Sequence, residues 1–257
     1  MTVATEMHAL LTLLDDPEAA PAILARLEED PSLCARAWAA SESREEPPAE
    51  LAALVLRQDA EALLDTFAAC EDLEAGWGLL ARLQRPRTDH AAACAPALDG
   101  LAARARTEGV SDGADLATFL CGPCAFIGDR TDYDNPLNSF LPALLERRCG
   151  LPIALTSLWL LIARRLDFAD CAAITLPGHV VGRWAGGWVD LYAGGSVLSR
   201  EELDLRVRLA GGTDAGPWLA AASDRALLRR MARNLTLAYL RRKDAVRATV
   251  SHALSGG

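Results

Sequence analysis

Apolar residues recur every three or four positions along most of the first hundred residues. Leu10, Leu11, Leu13 and Leu14 open the series, and Ile23, Leu24 and Leu27 continue it after Pro21, a residue suited to a first helical turn. A polar run at 41–48 (S-E-S-R-E-E-P-P) breaks the pattern and reads as a mobile linker. Beyond it come Leu51, Leu54 and Val55, then Ala62, Leu63 and Phe67, then Trp77, Leu80 and Leu83, the stripes of amphipathic helices in a small bundle. A further helix is expected over 91–106, ending at Gly109.

Ser111-Asp112-Gly113 is a turn and cap that leads into a short helix over 115–120. Residues 125–138 are rich in Gly, Asp, Asn and Pro and form an irregular loop. A helix over 139–148 is expected to stop at Gly150, and Pro152 then suits the start of the next. Residues 171–184 and 187–193 hold β-branched and aromatic side chains around Ala185-Gly186-Gly187, so the spacing predicts a hairpin. Helices return at 200–209 and 224–254, the second broken near Lys243-Asp244.

Composition narrows the class. With 257 residues, 51% hydrophobic and 24% charged, the chain can bury a sizeable core. Its net charge of −9 argues against a nucleic-acid partner, which needs a positive field. No apolar run reaches the ~18 residues of a membrane span, and Glu6, Asp15 and Asp16 do not resemble a secretory leader. Seven cysteines without a framework spacing suit reduced thiols, so a cytoplasmic protein without membrane partners is expected.

The candidate chemistry centres on the hairpin. A turn at Ala185-Gly186 sets Val181 opposite Asp190, which places His179 and Asp190 diagonally on one face, within reach of a His–carboxylate hydrogen bond. A lone strand histidine is more often simply half-buried; Gly178 before it and the Trp-Val-Asp strand beside it favour a built pair. A thiol-protease-like site also needs a thiolate near a helix N-terminus. Cys149 lies three residues before Pro152 and is the one candidate for a displaced nucleophile, whereas Thr156 and Ser157 suit packing or a hydrogen bond back to the helix. Cys121-Gly122-Pro123-Cys124 has the spacing of a redox pair or half a zinc site. It lacks the strand–helix setting of the first and the further ligands of the second, so two small buried residues around a turn are expected. The four histidines are scattered, and Asp129, Asp132, Asp134 and Asn135 lack the closing Glu of a calcium loop. No metal and no cofactor are expected.

The run F-I-G-D-R-T-D-Y-D-N-P-L-N-S-F-L-P-A-L-L-E-R-R-C-G-L-P-I-A-L at 126–155 resembles the signature block of the SirB-one family of bacterial transglutaminase-like proteins. L-P-G-H-V-V-G-R and W-V-D-L-Y-A-G-G-S-V-L-S-R-E-E downstream resemble later motifs of that family in the same order. Three positions depart from it: Asp129 for Asn, Asn135 for Asp and Leu191 for Pro. The resemblance implies an α+β, mainly helical fold. An N-terminal helical bundle (1–110) would pack on a transglutaminase-like core of helix and small antiparallel sheet (111–212), followed by a C-terminal helix pair, partly tetratricopeptide-like (213–257).

It further implies that His179 and Asp190 are a retained pair, and that Pro152 stands where enzymatic relatives carry the catalytic cysteine. Two functions follow as expectations. One is a non-catalytic module binding a protein or peptide, with Tyr133, Asn138, Trp184, Trp188 and Tyr192 as candidate contacts. The other is a cysteine-dependent amidase or acyl transferase using Cys149 with His179 and Asp190. Redox sensing through Cys121 and Cys124 is a third option.

Overall fold

The computed structural model describes residues 3–44 and 46–256. Helices dominate these residues, and two small sheets interrupt them. The first three, α1 (Val3–Leu14), α2 (Ala20–Glu29) and α3 (Pro31–Ser41), bury Met7, Leu10, Leu11, Leu14, Leu27 and Trp38 in a core of their own. The polar break at 41–48 separates α3 from α4 (Ala49–Ala69); Glu45 lies outside the described residues. Arg44 in this break pairs with Asp15, and Arg85 donates to the carbonyls of Glu42 and Arg44. Leu51, Leu54 and Val55 on α4 face the first core, while Leu56, Leu63 and Phe67 join the main one. One helix thus serves both.

Aspartate caps start the next three helices. Asp72, Asp89 and Asp112 each accept a backbone N–H from the first turn of α5 (Leu73–Ala81), α6 (His90–Thr107) and α7 (Gly113–Cys121). After the loop, α8 (Leu141–Arg147) ends at Arg148, which takes a left-handed conformation at φ 58°. Arg148, rather than Gly150, makes the stop. Gly150 instead lies in a strand, where a Cβ would fall 2.8 Å from the side chain of Leu144.

The centre of the molecule is α9 (Pro152–Arg165), in which every residue from Pro152 to Ala163 is buried. A helix apolar all round must be enclosed on all sides. Helices α6, α7, α8 and α11 (Asp224–Arg241) and the sheet supply that enclosure. Its charged end is tied down: Arg164 pairs with Asp224, and Arg165 with Glu74 and Asp99.

The larger sheet is an antiparallel meander of β3 (Ala172–Leu176), β4 (His179–Trp184), β5 (Gly187–Asp190) and β6 (Ser196–Leu198). The stretch 171–184, expected as one strand, is two. Pro177-Gly178 turns the chain back, with Gly178 at φ 70°, the conformation that the third position of a Pro-Gly type II turn requires. The β4–β5 register, Gly182 opposite Val189 and Trp184 opposite Gly187, is the one a turn at Ala185-Gly186 dictates. A second sheet is a two-residue parallel pairing of β1 (Ile127–Gly128) with β2 (Cys149–Gly150). Then α10 (Arg200–Leu209), begun by a Ser199–Glu202 capping box, covers the outer face of the meander. Helix α11 is followed after a break at Arg242–Asp244 by α12 (Ala245–Leu254), which packs back on it. No helix among the described residues is long and apolar enough to cross a membrane.

Candidate functional site

His179 opens β4 and Asp190 closes β5. Extending the observed register by one step puts Val181 opposite Asp190, so the two side chains meet diagonally across the strands. His179 Nε2 lies 3.0 Å from Asp190 Oδ2, with 16% of the imidazole and 1% of the carboxylate exposed. Arg206 Nη2 of α10 stands 2.7 Å from the same oxygen, and the Ala193 amide donates to Oδ1 at 3.1 Å. Burial by itself would push the Asp190 carboxyl up. The hydrogen bond and charge of His179, the Arg206 guanidinium and the Ala193 amide outweigh it and hold the group below the usual carboxylate range. An ionised carboxylate only accepts, so Nε2 donates to it. Nδ1 is then the second nitrogen of the ring, an acceptor when the imidazole is neutral.

Tyr192 packs edge-on against His179, ring centroids 6.0 Å apart. Its hydroxyl donates to the Asp129 carbonyl at 2.5 Å, and its ring lies so close to β1 that a Cβ on Gly128 would fall 2.4 Å from it. Glycine is therefore what admits Tyr192 to this position. Tyr133, 47% exposed, meets the other side of Tyr192 at 6.2 Å, and the Arg130 guanidinium lies 6.0 Å from the Tyr192 centroid. His179, Asp190, Tyr192 and Tyr133 thus form one constellation.

Helix α9 packs against the face of β4 that carries Val180 and Gly182. Thr156 donates to the Val180 carbonyl at 3.4 Å, across to the strand rather than back along its helix. Trp159 packs on Gly182, where a Cβ would fall 3.0 Å from the indole. The helix and β4 therefore run in the same direction, with Pro152 at the His179 end. Pro152 fills the first turn, and Leu151 before it offers no side-chain cap. Ser157 is buried with its hydroxyl unbonded among the described residues.

Cys149 lies beside Asp129 and close enough to Tyr192 to act on it. Burial pushes its thiol up, and the adjacent Asp129 carboxylate adds to this against the opposing charge of Arg147. Among the described residues no hydrogen bond joins it to His179. Asp129 itself accepts the backbone N–H groups of Asp132 and Thr131 and the Thr131 hydroxyl, which hold its carboxyl far below the usual range. Asn135 caps the short 3-10 turn that follows, so these acids and amides shape the loop.

The remaining candidates lie apart. Asn138 is fully buried, donates to the Asp132 carbonyl at 2.8 Å and accepts from Arg147 at 3.0 Å. Trp184 packs against Gly113 and Gly186, on the α9 side of the meander. Trp188 lies on the opposite face among Val181, Leu203 and Val207, its indole N–H unpaired among the described residues. Cys121 ends α7 and approaches the Leu191 carbonyl at 3.5 Å; burial, then the charges of Asp190 and Cys124, push its thiol up to about 11. Cys124 is buried, and both thiols are free. No group of three or more His, Cys, Asp or Glu among the described residues could hold a metal ion.

Two residues escaped the sequence reading. Arg206 reaches Asp190 from α10, and Arg230 of α11 donates from Nη1 and Nη2 to the Leu176 carbonyl at 3.1 Å and from Nη2 to the His179 carbonyl at 3.2 Å. Nothing in local spacing marks either, because each contact joins a helix to a strand distant in the chain.

A UPF0162 protein of Xylella fastidiosa is 34% identical over 131 residues, 47% of this chain and 46% of that protein. F-box only protein 21 of Homo sapiens is 40% identical over 62 residues, 24% of this chain and 10% of that protein. The chain therefore matches under half the length of these curated relatives. No solved structure matches. The family model for the transglutaminase-like superfamily covers residues 92–233, from α6 through the meander into α11, and the chain belongs to that superfamily.

Proposed function

We propose that the chain is a non-catalytic, transglutaminase-like module that binds a protein or peptide segment at the cleft around His179. The observation that carries this reading is the residue at the His179 end of α9. A helix N-terminus is where a thiolate is stabilised, and here the first turn of α9, toward the His179 end of β4, holds Pro152. Cys149 is a poor substitute, since burial and then the neighbouring Asp129 carboxylate disfavour its thiolate. The His179–Asp190 pair then serves as a fixed polar grip, with Nδ1 accepting from a ligand N–H, and Tyr133 and Tyr192 as aromatic contacts. Trp184 and Trp188 serve the packing of the sheet. Within the superfamily, the motifs at 126–155 and 176–202 favour the SirB-one family, with α11 and α12 as the beginning of a tetratricopeptide-like tail.

Thiol reactivity tests the reading. Iodoacetamide labelling followed by mass spectrometry is expected to modify Cys149 slowly, at a rate unchanged in His179→Ala. The Pro152→Cys variant is expected to label faster than any native cysteine, and to lose that advantage when His179→Ala is added. Rapid, His179-dependent labelling of Cys149 in the native chain would instead establish the amidase or acyl transferase reading.

A further inference from the structure

Arg230 is a cation without an ion pair among the described residues, held against the His179 carbonyl. Its guanidinium is half-buried, and the hydrogen bonds it makes go to backbone carbonyls, those of Leu176 and His179. No carboxylate among the described residues lies within ion-pair distance of it, and the charged neighbour that acts on it is another cation, Arg233. Elsewhere on α11, Arg225 pairs with Glu71 and Arg241 with Asp134. The acids nearest to this corner are already engaged, Asp132 with Arg242, Asp134 with Arg241, and Asp190 with His179 and Arg206. Arg230 and Arg233 are thus left without an ion pair among the described residues, in a chain of net charge −9. Partial burial of an uncompensated charge is costly, and carbonyl dipoles offset only part of that cost.

The surroundings say what would complete the site. Tyr133 lies close enough to Arg230 to act on its charge, and it packs on Tyr192, which packs on His179. Arg130 sits over the Tyr192 ring. The Leu176 carbonyl takes Nη1 and Nη2 and the His179 carbonyl takes Nη2 again, which leaves Nε–H and the second Nη1–H of Arg230 to donate to an incoming oxygen.

We propose that the His179 cleft recognises a carboxylate of an acidic peptide, gripped by Arg230 with Arg233 adding positive field, while the peptide backbone meets His179 and the two tyrosines. The carboxylate comes from an Asp or Glu side chain or from a peptide C-terminus. The inference rests on the binding-module reading above and names its ligand class.

An array of twelve-residue peptides made in matched pairs tests it with the intact chain. Each pair differs as Glu against Gln or Asp against Asn, and a parallel arm compares free with amidated C-termini. For binders, the acid member is expected to bind about ten-fold more tightly than its amide, the worth of one charge-assisted contact. The advantage should shrink between 0.05 and 0.3 M salt. Whichever arm carries the difference identifies the source of the carboxylate. Arg233→Gln, at an exposed position, is expected to lower affinity for the acid members several-fold with an unchanged melting temperature. Arg230→Gln should abolish the acid preference, and the wild-type pairs decide the question if that variant unfolds. Binders that treat acid and amide alike would overturn the carboxylate preference and leave the module reading standing. An array with no binder displaced by Tyr192→Ala or His179→Ala would overturn both.

Discussion

Asp190 carries more of the site than its neighbours do, because three donors from three parts of the chain converge on one buried carboxylate. Its carboxyl is held below the ordinary value, so the unfolded chain binds the proton more readily than the folded one. The resulting stability is present above the unfolded value, near pH 4, and is lost as pH falls through the lower folded value. Asp129 acts in the same direction. Denaturant unfolding is therefore expected to show the wild type losing stability from pH 5 to pH 3. Asp190→Asn should be less stable at pH 7 by on the order of 2 kcal/mol and have a flatter acid profile. An unchanged slope would mean that the pair is not formed. His179 and Asp190 were readable in the sequence because hairpin register follows from turn position, and the Ala185-Gly186 signal is plain. The part played by Arg206 and Arg230 was not, since side chains reaching from another helix leave no periodic trace.

Elements meet most closely where α9 crosses β4. Gly182 has no room for a side chain: a Cβ would stand 2.9 Å from Val189 Cγ2 and 3.0 Å from the Trp159 ring. Gly182→Ala is expected to cost about 1–3 kcal/mol, read from the urea midpoint, because neither neighbour can move without disturbing the core. Gly128→Ala makes the corresponding test nearer the site. Its Cβ would displace Tyr192, so loss of the Tyr192–His179 contact should appear as a shift of the His179 ring resonances, while the α9 core is retained. The long helices and the outer hairpin were legible from apolar spacing and turn residues. The β1–β2 pairing was not, since two residues are too short to show alternation. The Pro177-Gly178 turn had a clear dipeptide signal, masked by the β-branched residues on both sides.

Of the three hydrophobic clusters among the described residues, the two larger are joined by α4, whose two halves face different clusters. Leu27 is fully buried in the smaller of these two. Leu27→Ala should cost about 2–5 kcal/mol and act locally. Hydrogen exchange is expected to quicken over α1–α3 and to stay unchanged over β3–β6. Equal loss of protection in both regions would show that the cores unfold as one.

The first turn of α9 has an evolutionary meaning. The helix is held by what encloses its buried body and by the ion pairs of Arg164 and Arg165 at its far end. Its opening residue has only to begin a helix, a task for which proline is well suited. Under the proposed function, exchanging a nucleophile for a proline at this turn alters one codon and keeps both the fold and the imidazole–carboxylate pair for recognition.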